Sequence, residues 1–281
     1  MRKQPRTAGH FRAKHMSDEA TVADSLPRVP SKAAMEALYR KYNRREFVHP
    51  DPLEFLYWYD DPLDREVAGL VASALAYGRV RQILRSVSAV LDRMGPSPSA
   101  FVLANTGRRF RSAFSGFKHR FTTGDDMAGL LAGSRAVLKR HGSLQACFMS
   151  GSRREDPTIL RGLTLFVGEL KQDACGGCGT LLPSPAGGSA CKRLNLFLRW
   201  MVRKDAVDPG EWPAVLRRKL LVPLDTHMHG IGLALGLTGR KQADLKTAVE
   251  ITEGFRAIVP EDPVRYDFAL TRLGIRDGMD V

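Results

Sequence analysis

The sequence predicts an all-α protein made of two packed helical subdomains. Apolar residues recur at helical spacing along most of the chain, for example from Val67 to Leu91. No stretch alternates apolar and polar residues like a half-buried strand, and no strand–helix–strand rhythm is present. The glycine motifs of nucleotide-binding folds are absent as well. At 281 residues, 43% of them hydrophobic, the chain is long enough to bury a sizeable core.

The charge of the chain indicates a polyanionic partner. Lysine and arginine number 43 against 30 acidic residues, which gives a formal net charge of +13. The basic residues are spread over the body of the chain, so nucleic acid is the first candidate, and a merely solubilising charge is the alternative. Apolar runs fall far short of the roughly 20 residues of a membrane helix. No secretory leader is recognisable, so we expect a cytoplasmic, nucleoid-associated protein without a membrane partner.

The four cysteines are Cys147, Cys175, Cys178 and Cys191, too few for a disulfide scaffold at this length. Cys175 and Cys178 form a C-x2-C pair that could hold zinc together with the other two. The spacing differs from that of a standard zinc finger, and a loop with two spare thiols is the other interpretation. We therefore expect no metal and no cofactor.

The N-terminal part of the chain predicts a disordered basic arm over residues 1–30, followed by a single helical domain over residues 31–281. Ser31 is a suitable N-cap for a helix that runs to about Lys41. Residues 65–94 predict two helices with a break near Tyr77-Gly78.

That break frees backbone amides beside Arg79 and Arg81, which we predict to contact phosphate; a glycine needed only for packing is the alternative. Residues 117–121, FKHRF, interleave aromatic and basic side chains. Such a stretch can line a nucleic-acid groove, or it can hold two core aromatics between surface charges. Asp125 or Asp126 is then expected to cap a helix that ends near Arg140, and further helices follow over 143–149 and 157–170.

Residues 181–237 predict a Pro/Gly-rich loop, a basic amphipathic helix and then an apolar helix. The first helix buries Leu194, Phe197, Leu198 and Met201 and should carry Arg193, Arg199 and Arg203 on its remaining faces. Asp225 precedes the second helix as its N-cap, where a carboxylate is favoured as an anion. Lys192 and Asp225 therefore stand at the starts of two helical segments. Two more helices follow, one ended by Pro260 and one within EDPVRYDFALTRLGI.

Several segments carry a resemblance to a known superfamily. VPLDTHMHGIGLALGL, residues 222–237, resembles the helix-hairpin-helix DNA glycosylase segment V-x-V-D-T-H-V-x-R-V-x-x-R-L-G-L, in which the Asp is catalytic. LPSPAGGSACK, residues 182–192, is similar to the hairpin L-P-G-V-G-x-K-T-A, and DPVRYDFALTRLGI resembles the last helix of the same domain. Residues 31–275 also resemble an uncharacterised bacterial family, a domain of unknown function with the signatures SACKRLNLFLRWMVR and VPLDTH.

The chain departs from the glycosylase pattern at identifiable positions. Ser184-Pro185-Ala186 lengthens the hairpin turn, and Lys192 lies one helical turn after Ser189, which aligns with the usual lysine. The separation of 33 residues between Lys192 and Asp225 (225 − 192) is similar to that of the archaeal 8-oxoguanine glycosylase branch. The iron–sulfur cysteine pattern is missing, and Gly230 stands where an arginine is expected.

The resemblance implies a DNA repair N-glycosylase with abasic-site lyase activity that acts as a monomer on duplex DNA. In this scheme the neutral amine of Lys192 attacks the sugar C1′, while Asp225 takes its proton or stabilises the sugar cation. The damaged base would be extruded into a cleft near residues 187–230. The expected DNA contacts are Gly187, Gly188, Ser189, Arg193 and His227, in addition to Arg79 and Arg81.

Two other interpretations stay open from the sequence. One is a non-catalytic DNA- or RNA-binding protein on the same scaffold. The other is a monofunctional glycosylase in which Asp225 activates water and Lys192 only binds phosphate.

Overall fold

The computed structural model describes residues 31–174 and 179–276, so the predicted N-terminal arm and the Cys175/Cys178 pair lie outside the described residues. The predicted all-α character is confirmed, because the described chain is mostly helical. The helices in chain order are α1 (Lys32–Tyr42), α2 (Pro62–Ala74), α3 (Val80–Met94), α4 (Pro98–Ala104), α5 (Gly107–Ala113), α6 (Gly124–His141), α7 (Leu144–Ser150), α8 (Leu160–Gln172), α9 (Lys192–Val202), α10 (Thr226–Ala234), α11 (Leu245–Ile258) and α12 (Asp267–Arg276). Every helix within the described ranges is too short or too polar to cross a lipid bilayer.

Capping residues and a glycine determine where several helices begin. Ser31 caps α1 by accepting a hydrogen bond from the Ala34 amide, as predicted. The predicted break between α2 and α3 is also confirmed, and Gly78 occupies it with a φ of +101°, a conformation that favours glycine. The prediction for α6 is wrong in detail, since Thr123 is the N-cap. Asp126 completes a capping box with it, three residues on.

A short β-hairpin, which the sequence did not predict, occupies residues 118–123. Strands β1 (Lys118–His119) and β2 (Thr122–Thr123) pair antiparallel, and they form the only sheet in the described part of the chain. The tip consists of Arg120, whose φ is +52°, and Phe121. Phe117 is buried, but Phe121 is 76% exposed, so the interpretation that both aromatics are core residues holds only for Phe117.

The core is one continuous cluster that reaches from Met35 to Leu270. At its centre Trp212 packs against Phe148, Phe166 and Phe197. The indole Nε1 donates to Glu66 Oε1 over 2.7 Å. The same carboxylate accepts the amides of Leu144 and Gln145 at the start of α7.

Two close approaches complete the packing. Helices α6 and α8 cross with their backbones in contact, since a Cβ added at Gly133 would lie 2.0 Å from the Leu170 carbonyl oxygen. At the other end of the molecule, Glu36 of α1 accepts hydrogen bonds from the guanidinium of Arg265 and the hydroxyl of Tyr266, which directly precede α12. These contacts join the two ends of the described chain.

Helix α9 is held by a buried ionic network that the sequence pattern does not reveal. Arg199 and Arg203 were expected on exposed faces, but each is at most 3% exposed. Arg199 pairs with Asp208 and Asp267, and Arg203 pairs with Asp205, Asp208 and Asp262. The two arginines are four residues apart and so share one helix face. That face meets the segment after α9 and the start of α12, which supply the carboxylates.

We expect Arg203→Met to lower the free energy of unfolding by about 3–5 kcal/mol, because it leaves buried carboxylates without their guanidinium partner. Urea denaturation followed by circular dichroism measures this. Arg44→Met is the matched control, since Arg44 meets Glu46 at 3.8 Å with both side chains exposed, and such pairs contribute little. Equal effects of the two variants would contradict a stabilising network.

Candidate active site

The structure brings Lys192 and Asp225 together although 33 residues separate them in sequence. Lys192 Nζ lies 3.1 Å from Asp225 Oδ2. Lys192 is the first residue of α9, and Asp225 is the N-cap of α10, where its Oδ1 accepts the Met228 amide over 2.8 Å. The cap predicted for Asp225 is thus confirmed. Both side chains are about one-third exposed, 32% and 34%, so the pair is accessible to a ligand from outside.

The backbone around Lys192 is fixed by its neighbours. Cys191 has a φ of +48°, a left-handed conformation that turns the chain sharply into α9. Its thiol donates a hydrogen bond to the Pro183 carbonyl, and the Asn195 side-chain amide donates to the Ala190 carbonyl over 2.9 Å. The backbone that leads into Lys192 is therefore held in a fixed conformation.

Electrostatics keep Asp225 anionic. Burial alone raises the pKa of this carboxyl group, but the Lys192 ammonium, the Met228 amide and His227 together lower the pKa below its ordinary value of 3.8. Behind the pair lies the Asp267 carboxylate, which is ion-paired with Arg199. The site thus holds a carboxylate that stays charged at neutral pH beside a primary amine.

The pair stands in an open cleft of about 740 Å³. The turn 76–78 after α2 lines the cleft, and so do Pro183 and residues 187–189. Ala243 and Asp244, which sequence reasoning missed, complete the rim, and no local motif marks them. The Leu245 amide at the start of α11 donates to the Gly188 carbonyl over 3.0 Å, which fixes the glycine loop against α11.

The predicted DNA-binding residues fall at different distances from this cleft. Gly187, Gly188 and Ser189 line it directly. Arg79 and Arg81 are exposed and directly follow Gly78, which is part of the wall.

His227 is half-buried and does not line the cleft. Its Nε2 is buried and has no hydrogen-bond partner among the described residues. His229 is buried, with Nε2 2.8 Å from the Arg240 carbonyl oxygen. His227 is among the groups that lower the pKa of Asp225.

Arg193 makes contacts within the protein that the sequence did not predict. Its guanidinium donates to the carbonyl oxygens of Ala74 and Thr180, and it lies 5.0 Å from the ring centroid of Tyr77. The side chain therefore fastens α9 to the turn after α2. Arg193 also lines the cleft, and a guanidinium has five N–H donors, so a phosphate contact does not require these hydrogen bonds to break. The DNA contact predicted for Arg193 therefore stays a prediction.

Sequence reasoning largely missed the contribution of Tyr77 and the hairpin. Tyr77 lines the cleft, and its hydroxyl lies 2.9 Å from the His119 carbonyl oxygen and 2.7 Å from Thr122 Oγ1. The Arg120 side chain packs against Gly78. The hairpin thus stands beside the cleft wall with Phe121 projecting into solvent. The interleaved aromatic and basic residues of this stretch were the available signal.

The described residues contain no group of three or more side chains arranged to hold a metal. Cys147 and Cys191 are buried free thiols, and burial raises the pKa of each, to about 12 for Cys147. Buried, protonated thiols are poor metal ligands and nucleophiles. A zinc site that uses Cys175 and Cys178 lies outside the described residues.

Fold and site together define a helical protein with a lysine–aspartate pair in an open cleft. A family model described as "Protein of unknown function (DUF2400)" matches residues 51–276, and the chain belongs to this family. The predicted membership of an uncharacterised family is thereby confirmed. No curated protein and no solved structure matches the chain.

We expect Lys192→Met to raise the pKa of Asp225, because burial persists while the ammonium that offsets it is lost. The ¹³C shift of the Asp225 carboxyl group, followed from pH 7 downward, measures this. Lys204→Met, which removes an exposed lysine at the far end of α9, is the control. An unchanged pKa in Lys192→Met would contradict the ion pair. The pKa of Asp225 is lower in the folded chain than its ordinary value of 3.8. The ion pair therefore stabilises the folded state above pH 3.8, and this stabilisation is lost as the pH falls through the pKa of the folded state.

Proposed function

We propose that this protein is a DNA N-glycosylase with abasic-site lyase activity, acting on damaged bases through Lys192. The contact of 3.1 Å between Lys192 Nζ and Asp225 Oδ2 in an open cleft carries the proposal. An amine nucleophile needs a proton acceptor within hydrogen-bond distance, and Asp225 meets that requirement. The resemblance of residues 222–237 to the glycosylase segment implies the catalytic role for Asp225. The archaeal 8-oxoguanine glycosylase branch carries its lysine in the helix after the hairpin, where Lys192 also lies.

The proposed reaction uses only these two side chains and water. Lys192 Nζ gives a proton to Asp225 and bonds to the sugar C1′ while the bond from C1′ to the base breaks. The base leaves with the electron pair and takes up this proton, which returns Asp225 to its anionic form. The Asp225 anion stabilises the positive charge that builds on the sugar. Opening of the sugar ring gives an imine. Loss of a C2′ proton with cleavage of the C3′–O bond breaks the strand, and water then releases the amine.

The surface around the cleft supports a nucleic-acid substrate. The net charge of +13 favours a polyanion. The exposed backbone at Gly187 and Gly188 allows close approach of a phosphate. Arg79, Arg81 and Arg120 supply exposed positive charge close to Gly78, which lines the cleft. Phe121 adds an exposed aromatic ring on which a base can stack.

One observation favours a second candidate, the monofunctional glycosylase. The pKa of Asp225 is held low, so this carboxylate suits the stabilisation of a sugar cation better than the removal of a proton. Water would then be the nucleophile, and Lys192 would bind phosphate. The two candidates differ in whether a covalent protein–DNA intermediate forms.

Borohydride trapping distinguishes the candidates. The protein is incubated with duplex oligonucleotides that carry an abasic site or 8-oxoguanine, and the imine is reduced. We expect a covalent adduct on a denaturing gel with the unmodified protein and with Lys204→Ala. Lys192→Arg keeps a positive charge beside Asp225 but has no amine able to form the imine, so its adduct should fall by at least about 100-fold. Asp225→Asn should also lose most of the adduct.

Each alternative has its own outcome in this experiment. Base release without an adduct would support the monofunctional enzyme. Salt-dependent DNA binding without base release or adduct on any substrate would overturn the enzymatic proposal in favour of a DNA-binding protein. RNA binding tighter than DNA binding would point to a different substrate class.

The hairpin yields a separate prediction. We expect Phe121→Ser to weaken binding of abasic-site duplex by about tenfold, because a stacked base is worth about 1–3 kcal/mol. Fluorescence anisotropy at fixed salt measures the affinity. Trp58→Ser, which removes another exposed aromatic that does not line the cleft, should bind as the unmodified protein does. Equal affinities for both variants would exclude the hairpin tip from the DNA interface.

A further inference from the structure

We propose a second binding site, for a small amphipathic monoanion, in a cavity that shares no lining residue with the cleft of Lys192 and Asp225. The cavity has a volume of about 300 Å³, at the lower end of the range for small-molecule sites. Its main lining residues are Phe148, Met149, Ile159, Val215, Leu216 and Lys219. The inference does not depend on the proposed DNA chemistry.

The walls of the cavity are chiefly apolar. Phe148 and Met149 come from α7, Ile159 precedes α8, and Val215 and Leu216 come from the connection after Trp212. Phe148, Ile159 and Val215 belong to the buried core, whereas the Leu216 side chain is 38% exposed. Apolar walls of this kind favour a ligand with a hydrocarbon or aromatic body, since that body leaves water on binding.

Lys219 supplies the charge that such a ligand must match. The residue is only 8% exposed, and its Nζ donates to the Arg153 carbonyl oxygen over 2.6 Å. An ammonium group has three donors. No carboxylate in the described ranges forms an ion pair with Lys219, although a buried charge without a counter-ion is costly. Asp156 also lines the cavity, but its carboxylate accepts the Arg153 amide over 2.7 Å.

Charge complementarity therefore selects an anionic head group. Arg153 and Arg154 are exposed and also line the cavity, so the local positive charge extends to solvent. A single-charged carboxylate with an apolar body satisfies both Lys219 and the walls. A strongly hydrated inorganic phosphate satisfies only the charge, because the chiefly apolar walls cannot replace its hydration shell. The ligand class is thus a small alkyl or aryl monocarboxylate.

The cavity is formed before a ligand arrives. The Ile159 amide donates to the Lys219 carbonyl oxygen over 3.0 Å, and Lys219 Nζ bonds back to Arg153. These two hydrogen bonds join Lys219 to two other lining residues, Arg153 and Ile159. A preformed site loses little conformational entropy when it binds.

Calorimetric titration with three ligands of one chain length tests the proposal. The full chain is titrated with octanoate, 1-octanol and octylamine. We expect octanoate to bind at one site per chain, at least about tenfold tighter than octanol, since a hydrogen bond to a charged group strengthens binding by that factor or more. Octylamine should bind more weakly than octanol.

Two variants locate the binding. Lys219→Met keeps the apolar stem and should reduce octanoate affinity to that of octanol. Ala214→Trp changes an exposed lining residue and should block both ligands without disturbing the core, which keeps the test valid should Lys219→Met fail to fold. Asp225→Asn should bind octanoate unchanged. Equal affinities for the three ligands, no saturable binding, or binding that survives Ala214→Trp would overturn the proposal.

Discussion

The ion pairs between α9 and the carboxylates of Asp208, Asp262 and Asp267 are the constraint on which the candidate site depends. Helix α9 carries Lys192 at its first residue and Arg199 two turns later. Because Arg199 and Arg203 are buried and paired, the helix cannot rotate or slide without exposing unpaired charge to the core. The buried ion pairs at the C-terminal end of α9 thus help to fix the orientation of Lys192 at its N-terminal end.

The same network extends to the reactive pair through electrostatics. Asp267 pairs with Arg199 and also interacts with both Asp225 and Lys192. Arg193 adds a mechanical connection, because it joins α9 to the turn after α2 and lies over the ring of Tyr77. Tyr77 in turn holds the hairpin. A continuous series of contacts therefore connects the buried core, the lysine–aspartate pair and the cleft wall.

The features that were predicted correctly from the sequence are those that depend on interactions between residues close together in the chain. Helical spacing, the Ser31 and Asp225 caps and the break at Gly78 all depend on neighbours within a few residues, and each was predictable. The contact between Lys192 and Asp225 was accessible only through resemblance, since periodicity does not report which helix starts meet. The burial of Arg199 and Arg203 was missed because their partners lie up to 68 residues away. Phe121 was missed because a strand pair of two residues is too short to give an alternating pattern.

The bond from Glu36 to Arg265 has a consequence for how the chain reaches this fold. The two residues are 229 positions apart, so α1 emerges from the ribosome long before its partner exists. Likewise, the hydrogen bond between Glu66 and Trp212 cannot form until Trp212, 146 residues later, has been synthesised. Contacts of such sequence separation form late, because the intervening chain must first be ordered. Helices α1 and α2 thus remain incompletely docked until Trp212 and Arg265 have been synthesised, which is the interval in which a chaperone would have most to bind.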